Sequence, residues 1–143
     1  MSHKEMIAGV QLAGQVLVAL WLVWDLANGG LVGATVMGVA IKLLWAIGAV
    51  IVFTILATII MTIVVSIARR EEFKDEPADE RDALIEVKSQ RWSAYMTSAL
   101  AALALFPLAF GADPIWAVYA LFGAPMIGGA VNAAYMLYYY RVN

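Results

Sequence analysis

The sequence predicts an all-α fold: an integral membrane four-helix bundle with a cytoplasmic helical-hairpin extension between its second and third helices. Three observations carry that expectation. Of 143 residues, 64% are hydrophobic and 14% charged, with mean hydropathy +0.83, whereas a soluble domain is about half apolar and about a quarter charged. The apolar residues gather in four runs, each meeting the roughly 20 residues that a membrane crossing needs. The charges gather as well: of nine basic and eleven acidic residues, fourteen fall between Arg69 and Arg91.

The chain reads as a single transmembrane domain, residues 1–143, with spans near 6–27, 34–68, 92–110 and 114–140 and a hairpin tip near 69–91. In the first span the apolar run Ile7–Trp24 exceeds the roughly 7–15 residues of a signal-peptide core, and no small-x-small cleavage site follows it. A retained helix is therefore expected. In the second span, Leu43 to Ala68 covers about 39 Å as a helix, enough to cross without Lys42. Lys42 is then free to snorkel to the interface beside Trp45. Thr54, Thr58 and Thr62 recur every four residues on one face, where their hydroxyls bond back to their own helix.

The charged insert DEPADERDALIEVKSQRW, Asp75–Trp92, has Pro77 as its third residue, which cannot continue a helix. Asp79 is a suitable N-cap, with Glu80 and Asp82 in the first turn. From Glu80 no Pro or Gly occurs until Pro107, so one unbroken helix is expected over Glu80–Phe110, with Pro107 ending it. Such a helix is about 46 Å long against a hydrocarbon core of about 30 Å, so its first turns project from the bilayer. This stem is amphipathic. Leu84, Ile85, Lys88, Ser89 and Trp92 fall on one stripe, and Asp79, Asp82 and Glu86 line another face. The stripe is expected to pack against the Phe73 side of a partner stem or against another subunit, while Lys88 and Arg91 meet anionic headgroups. Candidate partner or lipid contacts are Asp79, Glu80, Arg81, Ile85, Lys88, Arg91 and Trp92; the bland reading is a solvated stem.

Asp79–Tyr95, DERDALIEVKSQRWSAY, resembles the Asp-Glu-Arg-x-x-x-Ile-x-x-Lys signature of a family of small prokaryotic multi-span membrane proteins of unknown function. The matching residues are Asp79, Glu80, Arg81, Ile85 and Lys88, continuing to Arg91 and Tyr95. In that family the signature leads directly into a transmembrane helix. The resemblance implies an architecture and no activity.

In the fourth span Pro125 removes a backbone hydrogen bond and is expected to kink the helix. Gly128, Gly129 and Ala133 lie close by, with the small-x-x-x-small pairs Gly129/Ala133 and Ala130/Ala134 that permit close helix contact.

Orientation follows from the basic residues. Eight of the nine lie at the termini or in the charged insert, and the connections 28–33 and 111–113 contain none. Both termini and the insert are expected on the cytoplasmic face of an inner (plasma) membrane. Trp21, Trp24, Trp45 and Trp116 then mark the outer boundary, and Trp92, Tyr95, Tyr135 and Tyr138–Tyr140 the inner one.

Polar groups inside the spans are functional suspects, because hydrocarbon burial is costly unless they are paired. Gln11, Gln15, Asp25, Lys42 and Asn132 are the candidates for a polar path. Asp25 and Lys42 flank the short connection NGGLVG and are placed to pair across it. No Walker A loop, dinucleotide fingerprint or Ser-His-Asp set is present. The single histidine is His3 and there is no cysteine. No catalytic, cofactor-binding or metal-binding residues are expected, and no surface suggests nucleic acid. The sequence points to a non-enzymatic protein of the lipid bilayer that acts by assembly, as a homo-oligomer or an accessory subunit of a membrane complex. The alternative is a small oligomeric transporter or channel; a lipid-modifying enzyme is a weaker third.

Overall fold

The computed structural model describes residues 3–69 and 80–142, and the side chains from residue 5 to 67 and from 80 to 142. The Asp79 cap, Pro77, Phe73 and the hairpin turn lie outside the described residues. Five helices occur among those described: α1 (His3–Ala27), α2 (Val36–Arg69), α3 (Glu80–Leu103), α4 (Leu105–Ala109) and α5 (Pro114–Val142). Four stretches are long and apolar enough to cross a membrane: α1, α2, α3 with α4, and α5.

The helix ends follow from local chemistry. Asn28 donates its side-chain amide to the Trp24 carbonyl at 2.7 Å, satisfying one of the last carbonyls of α1. Gly29 and Gly33 take φ of 82° and 67° in the connection that follows, a region costly for any residue with a Cβ. Thr35 caps α2, its Oγ1 accepting from the Gly38 amide at 3.1 Å. Asp113 caps α5 in the same way, accepting from the Ile115 amide at 2.9 Å, with Pro114 at the first helical position.

The third crossing is not one unbroken helix. It breaks at Ala104, and a short α4 resumes beyond it. Proline at position 107 has no N–H for the Leu103 carbonyl, and its ring crowds that same oxygen, so the interruption falls just after Leu103, while Ala104 keeps helical angles (φ −62°, ψ −20°) and its amide on the Leu100 carbonyl at 3.0 Å. Pro107 itself sits inside α4, and the segment ends only at Gly111, with φ 81° and its amide on the Leu108 carbonyl at 3.0 Å.

The helices do not form a ring of equal neighbours. α5 packs against all the others, α1 packs on α2 and α5, and α2 and α3 make no contact among the described residues. The buried apolar cluster of Val18, Val39, Leu43, Ala46 and Phe122 lies between α1, α2 and α5, near the α1–α2 connection. Across α5, contact with α3 relies on small residues. A Cβ added at Gly128 would land inside the van der Waals radius of Thr97 Oγ1 and 3.1 Å from the Ser93 carbonyl oxygen. The neighbouring Gly129 faces α1 instead, where a Cβ would overlap the Gln15 amide. Successive residues on a helix are about 100° apart, so this glycine pair seats two different helices at once. Pro125 is accommodated inside a continuous α5.

Candidate functional site

Two polar centres stand out at opposite ends of the bundle. The first is the Asp25–Lys42 ion pair at the α1–α2 connection, where Lys42 Nζ donates to Asp25 Oδ2. Nζ also lies 3.4 Å from the Gly30 carbonyl oxygen and 5.9 Å from the centre of the Tyr119 ring on α5. The side chains are only 25% and 17% exposed, Lys42 and Asp25 respectively. Partial burial makes the partners necessary: either charge alone would face a low dielectric without compensation. The sequence-predicted pairing across NGGLVG is therefore formed. Tyr119 is the contributor that sequence reasoning missed. The signal was available in depth alone, because Tyr119 lies six residues past the Asp113 cap and Lys42 seven past the Thr35 cap, so both sit about 10 Å into their helices.

The second centre is at the other end, where α3 meets the tail of α5. Trp92 stacks on Tyr135 with ring centres 5.8 Å apart and planes 4° from parallel, and Tyr139 continues the row at 5.9 Å. Lys88 Nζ sits 5.8 Å from the Tyr139 ring centre, within cation–π range. Tyr140 donates its hydroxyl to Asp82 Oδ1 at 2.9 Å. Ile85 and Ser89 are buried, and Ser89 Oγ donates to the Glu86 carbonyl at 2.9 Å. Of the stripe proposed for a partner, Ile85 and Ser89 are taken up by the interface between α3 and α5 of the same chain, whereas Leu84 stays exposed. Ile85, 4% exposed, is not available to a second protein. Glu80, Arg81, Lys88, Arg91 and Trp92 remain exposed, with Trp92 showing the edge that its stack leaves open.

The remaining polar candidates do not join into one route. Gln11 is exposed on α1. Gln15 rests against Gly129, and its Oε1 is buried without a hydrogen-bond partner. Asn132 Oδ1 is in the same condition, while its Nδ2 lies 4.0 Å from Met136 Sδ. Gln15 is ten residues from Asp25, about 15 Å along α1. Val18, Leu22, Phe122 and Met126 line an apolar cavity that begins at Gln15 and runs toward that end, with a volume of about 350 Å³. Thr62 bonds back to the Thr58 carbonyl at 2.8 Å, as expected of a hydroxyl in an apolar helix. Gly128 and Ala133 are buried in contacts of α5. No group of three or more His, Cys, Asp or Glu side chains converges as a metal site among the described residues.

No protein-family model, curated protein or solved structure matches this chain. The resemblance of Asp79–Tyr95 to a multi-span family signature rests on those residues alone.

Proposed function

We propose that the chain is a four-span inner-membrane protein, with both termini and the charged insert cytoplasmic, that acts by assembly as a homo-oligomer or an accessory subunit. The observation carrying this reading is the separation of its polar groups. The space between Gln15 and the Asp25–Lys42 pair is lined by the apolar side chains of Val18, Leu22, Phe122 and Met126, so one copy lines no continuous polar route. α2 adds support. It is the most apolar helix, yet no residue from 47 to 67 is buried within the chain, leaving a long face for neighbours in the bilayer.

The absence of cysteine makes the test direct. Ile59→Cys, on the exposed face of α2, is introduced and oxidatively cross-linked in native membranes, followed by native mass spectrometry in mild detergent. A cross-linked homodimer, or a stoichiometric partner at that cysteine, is the expected result. A monomer that cross-links to nothing, and carries ions across liposomes, would refute assembly and favour the transporter reading.

A further inference from the structure

A groove of about 470 Å³ runs between α1 and α2, within the roughly 300–1,000 Å³ of small-molecule sites. Lys42 stands at one end of it, flanked by Trp21 and Trp45. The far end closes where the helices meet, since a Cβ on Gly14 would lie 3.3 Å from the Phe53 ring. Ala46 and Ala49 keep its middle open. From Lys42 to Phe53 is eleven residues, about 16 Å along α2, and half of a hydrocarbon core is about 15 Å. The groove is therefore one leaflet deep, polar at the depth of the headgroups, and apolar from there to a floor near the bilayer centre.

We infer that this groove is a lipid site, holding one acyl chain of a phospholipid from the leaflet on the Asp25–Lys42 side, with the lipid headgroup at the mouth beside the Asp25–Lys42 pair. The inference rests on the membrane-spanning reading above. A second helix does not suit the space, because a cylinder about 10 Å across and 16 Å long takes up roughly 1,250 Å³, against about 470 Å³ in the groove. An extended hydrocarbon chain does suit it.

The full chain is reconstituted in phosphatidylethanolamine–phosphatidylglycerol vesicles containing a trace of phospholipid with a photoactivatable group midway along one acyl chain. After an alkaline wash and irradiation, labelled positions are mapped by mass spectrometry. Label is expected to concentrate between Lys42 and Phe53 on α2 and around Gly14 to Trp21 on α1. Ala49→Trp fills the groove and should lower that label about tenfold or more, the effect of displacing as little as two methylenes. Ile60→Trp, on an exposed face of the same helix, should leave it unchanged. Label spread evenly around α2, or equal in both variants, would overturn the lipid site while leaving the membrane reading intact. A cross-link from the groove to a second copy would overturn it too. Loss of the protein in the alkaline wash would instead defeat the membrane reading on which the site depends.

Discussion

Gly128→Ala adds a single methyl to the seam between α3 and α5, and the structure says what it meets. The new Cβ overlaps Thr97 Oγ1 and approaches the Ser93 carbonyl oxygen to 3.1 Å. The hydroxyl sits on a β-branched side chain with restricted rotamers, and the carbonyl is backbone, so neither yields cheaply. Overpacking of this kind costs about 1–3 kcal/mol. Alanine recovers up to about 1 kcal/mol of helix propensity in water, so a net loss near 1–2 kcal/mol remains. Two companions calibrate it. At Gly129 the obstacle is the end of the flexible Gln15 side chain, and at Gly123 nothing lies within 4 Å. Alanine at these positions should therefore be mildly destabilising and neutral or better, respectively. Thermal unfolding in mild detergent should rank the midpoints Gly123→Ala, then Gly129→Ala, then Gly128→Ala, the last several degrees below wild type. Adding Thr97→Ala to Gly128→Ala should restore part of the loss, a coupling read from a double-mutant cycle. A Gly128→Ala protein as stable as Gly123→Ala would refute the close approach of α3 and α5.

Other consequences follow from the two polar ends. Lys42→Met leaves the Asp25 carboxylate unpaired and should cost about 1–3 kcal/mol, less than a fully buried pair because both side chains keep some water contact. The double variant Asp25→Asn/Lys42→Met should be more stable than Lys42→Met alone, and detergent unfolding of the three proteins reads the difference. Ile85→Asp places a charge in the α3–α5 interface and should lower the unfolding midpoint sharply, whereas Leu84→Asp, at a position 59% exposed, should change it little. Equal midpoints would show that the stem does not pack on α5. For topology, Val32→Cys and Leu84→Cys should label with an impermeant maleimide from opposite faces of sealed vesicles; labelling of both from one face would mean that α2, the span between them, does not cross.

The long apolar helices were legible because hydrophobic length is a local property: predicted bounds of 6–27, 34–68 and 114–140 correspond to helices His3–Ala27, Val36–Arg69 and Pro114–Val142. The ion pair was legible for a related reason, since only Asp25 and Lys42 carry charge near a six-residue connection. The break at Ala104 was within reach but misplaced, because a proline disturbs the carbonyl four residues before it rather than its own position. The central place of α5 was not legible. Its helix is apolar on all sides, so periodicity names no inward face, and small residues such as Ala124 and Gly128 admit any neighbour. The Asp82–Tyr140 bond joins residues 58 apart in sequence, and no local pattern announces it.

The hub position of α5 bears on biogenesis. On the membrane-spanning reading proposed above, spans insert one after another and associate afterwards, and in this chain the helix that touches all the others follows them in sequence. Until it enters the bilayer, α3 has neither α1 nor α2 to pack against among the described residues, and the Gln15 amide lacks the Gly129 surface it rests on. A ribosome stalled before Pro114 would therefore leave an α1–α2 hairpin and an unattached third crossing, separate solutes in the same membrane, and their union waits on a single insertion event.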